Sequence, residues 1–320
     1  MVEGAPLLRE YRVKSLIEGS NPSLSANQTR PRHGAFCLVA AAVRAYIRRA
    51  VQASREQENA MNLGITGKTA LVTASSAGMG KNIAHALAAE GVNVVLFARS
   101  LDKLEDEARE IRRLHGVQAL AIAGDMTVAA DVLSLASTLS SQFGGPDIFV
   151  LNTGRAPNPI RATLDEMDES RWRQAYETQL WGAIHVAQSV VPLMLKRKSH
   201  WGRVIAITSA SVKEPMQNHC LSTVFRAGVT AYMKHLASEI GAHGITVNCV
   251  SPALIDTSHR TGGAAYSAEK TETRKKLTPL GRMGTQEEVT GVVTFLASMQ
   301  AGFITGSSIQ VEGGMLRSLV

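Results

Sequence analysis

Residues 68–91 read KTALVTASSAGMGKNIAHALAAEG: an apolar, β-branched run, Thr69 to Thr73, enters a turn of small residues, TASSAGMG. A helical pattern leaves that turn through Ile83, Ala84, Leu87 and Ala88. Strand, glycine turn and helix form the opening unit of a dinucleotide-binding α/β fold. Gly78 and Gly80 let the backbone approach a pyrophosphate, and the free N–H groups at the helix start favour its negative charge.

The same alternation continues outward from this unit. Val92–Ala98, Val117–Ala123, Asp147–Leu151, Arg203–Thr208, Ile245–Val250 and Ser308–Val311 read as strands. Helical patterns lie between them at about Leu101–His115, Val128–Phe143, Asp168–Lys198, Cys220–Gly241 and Glu287–Ser298. Strands alternating with helices at this spacing predict an α/β fold, a Rossmann-type doubly wound parallel sheet in a single domain over residues 61–320. The polar, Gly/Thr-rich stretch Pro252 to Thr278 reads as a loop plus helix that closes over a ligand.

Composition narrows the function. The chain has 320 residues, 45% of them hydrophobic, which is ample for one large α/β core plus an extension. Of its net charge of +7, residues 1–60 carry nine Lys/Arg against five Asp/Glu, leaving 25 against 22 in the remainder. No basic stripe interleaved with aromatics is present there, so nucleic-acid binding is not supported. Cys37, Cys220 and Cys249 form no C-x-x-C pair and fit a reducing compartment. The histidines show no metal-ligand spacing, and no metal is expected. No apolar run reaches the roughly 20 residues of a membrane helix, so a soluble, cytoplasmic protein is expected.

With these elements in place, residues 62–316 resemble the short-chain dehydrogenase/reductase family. The family's opening T-G-x-x-x-G-x-G is met by Thr73, Ala74, Gly78 and Gly80, with alanine at the first glycine. Its N-N-A-G after strand four is met in part by Leu151-Asn152-Thr153-Gly154. Asn248 to Ala253 resembles its N-x-x-x-P-G turn, again with alanine for glycine. The tail, PLGRMGTQEEVTGVVTFLAS and ITGSSIQVEGG, is typical of bacterial 3-oxoacyl-(acyl-carrier-protein) reductase-like members. The resemblance implies a cofactor cradle of Thr73, Ser75, Ser76, Gly78, Met79 and Gly80, with Asp125 and Met126 after strand three. It continues through Asn152, Thr153 and Gly154 to Pro252, Ala253, Ile255 and Thr257, the last two meeting the nicotinamide carboxamide. A homotetramer acting on a small-molecule substrate is implied as well.

Cofactor choice is read from the end of strand two. A carboxylate there would bond the ribose hydroxyls and repel a 2′-phosphate. The sequence instead has Arg99 and Ser100, and arginine's planar fork suits a phosphate. NADP(H) is expected over NAD(H), although an exposed arginine opening the next helix is the bland alternative.

The resemblance weakens at the catalytic positions. The family uses a tyrosine four residues before a lysine, a serine about thirteen residues earlier, and an asparagine on the preceding helix. Ser209 matches the serine, but Ser222 stands for the tyrosine, Arg226 for the lysine and Gln179 for the asparagine. An aliphatic hydroxyl is a far weaker acid than a phenol of pKa about 10, so the usual proton donor is missing. Arg226 keeps a charge able to grip the nicotinamide ribose. His219, Lys213 and, more remotely, Tyr266 are candidate substitute donors, though each taken singly reads more readily as a solvated loop residue. NTG, TSxSVKxP and S-x-x-x-R together resemble a recognisable subset of the family, which argues for a shared altered site over random decay. The expected activity is interconversion of a small carbonyl and alcohol. A nucleotide-binding scaffold or sensor without turnover, and a non-redox lyase or isomerase, stay open.

Residues 1–60 form no domain by pattern and are expected to lie outside the natural protein. Gly19-Ser20-Asn21-Pro22 can be encoded by GGTTCGAATCC, a transfer-RNA T-arm sequence. With chosen codons Ala5 to Glu10 spells an anticodon arm reading GCT, and Pro22 to Ala26 the 3′ side of a serine transfer RNA. An upstream start assigned inside such a gene would put the true start near Met61. A targeting peptide is the rival, weakened by Glu3, Glu10 and Glu18.

Overall fold

The computed structural model describes residues 62–256 and 268–319. The expectations for residues 1–60, and for Thr257 and Tyr266, lie outside the described residues.

Seven parallel strands form one sheet in the order β3-β2-β1-β4-β5-β6-β7. They are β1 (Thr69–Thr73), β2 (Asn93–Ala98), β3 (Ala119–Ala123), β4 (Ile148–Leu151), β5 (Gly202–Ile207), β6 (Ile245–Pro252) and β7 (Ser308–Val311). Each falls where an apolar, β-branched run predicted it, within a residue or two at either end. The order reverses between β1 and β4, and ligands of open α/β sheets bind at that switch point, outside the carboxyl ends of the strands.

Helices cover both faces because alternate strand residues point to opposite sides. Ala70, Val72, Ile148 and Val150 face α1 (Gly78–Ala89), α2 (Leu101–His115) and, further along the sheet, Val289, Val293 and Leu296. Leu71, Phe149 and Leu151 face the other layer, with Leu135 and Leu139 of α3 (Ala129–Phe143). That layer is completed by Val186 and Val190 and by Val229, Met233 and Leu236.

The stretch predicted as one helix over 168–198 is three pieces. α4 (Glu169–Ala175) runs into a π-helical segment, Tyr176–Trp181, before α5 (Gly182–Leu195) continues. A π turn accommodates one extra residue per turn and often marks a functional position. Gln179 lies at its centre, fully buried. α6 (Cys220–Ile240), α7 (Ala268–Lys275) and α8 (Gln286–Ala297) complete the helices. None of the described helices is long and apolar enough to cross a membrane.

Candidate active site

The carboxyl edge of the sheet collects the residues singled out by sequence. Thr73–Gly80 follows β1, Arg99 and Ser100 follow β2, and Asp125 and Met126 follow β3. Asn152–Gly154 follows β4, Ser209 follows β5, and Ala253–Ile255 follows β6.

The glycine turn is held from outside itself. Thr73 Oγ1 donates to the carbonyl of Asn152 at 2.7 Å and accepts from the Asn152 amide at 2.9 Å. Asn152 Nδ2 donates to the Ala74 carbonyl at 3.4 Å. Ala74, in place of the family glycine, takes a φ of 48°, the left-handed region that glycine normally occupies. Gly80 is required by space: a Cβ there would lie 2.4 Å from the Ala74 carbonyl oxygen and 2.9 Å from Asn152 Nδ2. The start of α1 has no side-chain cap and no acid in its first turn, leaving its N–H groups to an anion. Ser75 is fully buried, and its Oγ accepts from the Phe97 amide at 3.0 Å, tying the turn to β2. These features suit a dinucleotide pyrophosphate.

Arg99 is exposed at the end of β2, with no acid beside it in sequence. Asp125 is partly buried, and its Oδ1 accepts from the amide and hydroxyl of Thr127 at 2.9 and 2.8 Å. At the other end, the chain after β6 is pinned twice. The Ala253 amide donates to Val311 at 3.1 Å, and Leu254 and Asp256 exchange backbone bonds with Gly284 at 3.2 and 2.8 Å.

The residues that the sequence singled out as catalytic fall into three settings. Ser209 starts a 3-10 turn, Ala210–Val212; its Oγ lies 3.0 Å from Ser211 Oγ and accepts from the Ser211 amide at 3.3 Å. Lys213, at the end of that turn, is exposed. Gln179 is fully buried with neither amide atom bonded among the described residues. Ser222, Arg226 and His219 instead line one cleft of about 530 Å³ with Arg155, Ala156, Pro157, Asn158, Ile160, Glu166, Asn218 and Leu221. Ser209, Lys213 and Gln179 are not among its lining residues.

Arg226 is a clamp. Its Nη1 donates to the carbonyls of Ile207 and Thr208 at 2.8 and 3.2 Å, and Nη2 to that of Gly154 at 3.4 Å. Burial, and secondarily the charge of Arg155, push its pKa down to about 10. His219, at the start of α6, donates from Nδ1 to the Gln217 carbonyl at 2.8 Å, so Nε2 is the nitrogen left for a proton or ligand.

Sequence reading missed the residues that build the opposite wall. Arg171, at the start of α4, is buried and donates to the carbonyls of Pro157, Asn158 and Pro159 at 3.3, 3.2 and 2.7 Å. It also grips both oxygens of the buried Glu166, whose carboxyl this hydrogen bond holds below its ordinary pKa. A buried arginine with an acid five residues earlier is a faint sequence signal; its three carbonyl partners leave none.

Comparison with known proteins fits this geometry. Residues 73–316 match a protein-family model described as enoyl-(acyl carrier protein) reductase, and the chain belongs to this family, within the short-chain dehydrogenases/reductases. A 3-oxoacyl-(acyl-carrier-protein) reductase of Staphylococcus epidermidis is 37% identical over 251 residues, covering 78% of this chain and 98% of that protein. The corresponding Aquifex aeolicus reductase is 31% identical over 255 residues, covering 80% and 100%. L-Sorbose reductase from Gluconobacter frateurii, solved with NADPH and L-sorbose, superposes with a TM-score of 0.71 at 31% identity, covering 81% of this chain and all of that one.

Proposed function

We propose that the protein is an NADP(H)-dependent oxidoreductase that interconverts a small carbonyl compound and its alcohol with an altered catalytic set. The observation that carries this is one cleft lined by Ser222, Arg226 and His219, which adjoins the Ser209 turn through the Arg226–Thr208 bond. Its relatives are reductases, and the sorbose reductase was solved with NADPH.

Bound NADPH supplies the hydride. The chain's residues hold the cofactor and manage the charge that forms on the substrate oxygen. The Gly78–Gly80 turn and the start of α1 would hold the pyrophosphate, with Arg99 and Ser100 available to the 2′-phosphate. Asp125 would take the adenine amino group, and Ile255 the carboxamide. With Ser211 donating to Ser209, the Ser209 proton is left for the substrate oxygen. Arg226 lies beside that oxygen as a fixed positive charge, a role a fork-shaped cation fills without transferring a proton. The proton comes from His219 Nε2, which lines the same cleft, or from water reaching Ser222. The chain works as a homotetramer, a reading supported by exposed aromatic side chains at Trp181, Phe295 and Phe303.

Substrate-dependent loss of NADPH absorbance tests the reading. Turnover of small ketones is expected; tight NADPH binding with no turnover across a broad carbonyl panel would overturn it in favour of a nucleotide-binding scaffold.

A further inference from the structure

Away from the cleft, α1 and α2 bring together metal-ligating side chains that the proposed reaction does not use. His85 stands on α1, and Glu107 and Glu110, one helical turn apart, stand on α2. One ligand atom from each of the three lies within 4.8 Å of the other two. His85 Nε2 and Glu107 Oε2 are 3.1 Å apart. Bonds of about 2.0–2.2 Å to a tetrahedral zinc ion put neighbouring ligand atoms roughly 3.4 Å apart, so this pair is already near that spacing. The imidazole and the carboxylates come from different helices, and the set therefore has no spacing in sequence.

A second imidazole adjoins the set. His115, the last residue of α2, packs its ring edge-on against that of His85 with centroids 5.8 Å apart. Its Nε2 is enclosed and has no hydrogen-bond partner among the described residues. Burial, then the neighbouring His85, lower its pKa, so at neutral pH the ring is uncharged and does not repel a cation. The competitor is Lys81, whose Nζ lies 2.6 Å from Glu107 Oε1. Partly exposed ion pairs of this kind contribute little, and the flexible lysine stem lets the ammonium return to water when a divalent ion arrives. The His85 and Glu107 side chains are 20% and 14% exposed, which holds their positions yet leaves a way in.

We propose that His85, Glu107 and Glu110 bind a divalent transition-metal ion of the zinc class, with the fourth position open to water or to His115. One imidazole nitrogen with two carboxylates favours that class over Mg²⁺ and Ca²⁺, which take oxygen donors, and over soft ions that select thiolates. Both helices set out from the carboxyl edge of the sheet, α1 from the Gly78–Gly80 turn and α2 directly after Arg99 and Ser100. The ion ties these two elements together, and the site is independent of any turnover at the cleft.

Zn²⁺ titrated by calorimetry into the full, chelator-treated chain should fill a saturable site at micromolar concentration. Saturating metal should also raise the thermal unfolding midpoint by several degrees, because the ion binds the folded chain. Glu110→Gln, a change at an exposed position that leaves the core intact, should weaken binding at least about tenfold, and His85→Gln should do the same. Lys81→Met should tighten it several-fold by removing the competing cation, and excess Mg²⁺ should not displace the zinc. A parent chain without a saturable site overturns the proposal. So does Zn²⁺ binding that Glu110→Gln and His85→Gln both leave unchanged, which would put the ion elsewhere on the chain.

Discussion

Nη1 of Arg226 donates to the carbonyl oxygen of Ile207 at 2.8 Å, fastening α6 to the carboxyl end of β5. Arg226, which the sequence count from Ser209 sets at the family's lysine position, is therefore tied into the backbone scaffold. Lysine, with a single nitrogen, cannot span the same three carbonyls. Arg226→Lys should cost about 1–3 kcal/mol of stability, measured by denaturant unfolding, because buried carbonyls lose partners. Pairing it with Ser222→Tyr should raise turnover of generic ketones despite that cost, since tyrosine restores a phenolic acid. No gain with cofactor binding retained would show that the pocket itself has diverged.

Gly80→Ala should damage cofactor binding more than any other single methyl addition in the turn. The added carbon falls against the Ala74 carbonyl and Asn152 Nδ2, neither of which can withdraw without opening the Thr73–Asn152 link. A stability loss of about 1–3 kcal/mol is expected from overpacking. Fluorescence titration should show weakened NADPH binding, and unchanged affinity would remove the turn from the site.

Arg99 sets the expected preference between cofactors. Dissociation constants should favour NADPH over NADH in the parent, and Arg99→Ala should weaken NADPH by about tenfold or more while leaving NADH nearly unchanged. Equal constants in the parent would sink the assignment.

Glu288 gives a pH signature. Hydrogen bonds from Arg282, then from the Thr285 amide, lower its carboxyl from 4.5 to about 2. A depressed folded value means the contribution is complete above about 4.5 and disappears as pH falls through about 2. An NMR titration should find the Glu288 midpoint near the lower value. Thermal stability should fall across that window in the parent more than in Glu288→Gln, with a modest amplitude because the pair is half exposed.

The oligomer is tested by light scattering at micromolar concentration. A mass near four chains is expected, and a monomer contradicts the reading. Phe303→Ser, which removes a fully exposed aromatic ring between α8 and β7, should weaken the assembly without disturbing the protomer's core.

The sheet was legible because its determinants are local. Runs such as TALVT and NVVLFA bury on both faces and are bounded by turn residues, so β1 and β2 could be placed to within a residue. The site was legible only as far as motifs reach. Ser222 and Arg226 could be placed by counting from Ser209, but the partners of Arg226 come from β5 and from the loop after β4. The π segment around Gln179 has no signature in a helical pattern that remains amphipathic on either side. Ala74 could be seen as a departure from glycine. Its left-handed backbone follows from bonds made by Asn152, nearly eighty residues away. Arg171 shapes a wall of the cleft through carbonyls, and carbonyls carry no sequence identity.

The capping box of α8 has a reach beyond its own helix. Thr285 and Glu288 close it, Arg282 braces it, and Gly284 between them carries the backbone bonds to Leu254 and Asp256. Thr278 Oγ1 donates to the Arg282 carbonyl at 2.8 Å, so the chain that departs at Asp256 and the chain that returns after α7 share one mooring. An ion pair worth little to global stability thus helps hold Leu254–Asp256 and the chain around Thr278 to the start of α8. Substitution of Arg282 or Glu288, outside the cleft, should be felt first around Leu254–Asp256, as a change in the affinity of whatever lies beside Ile255.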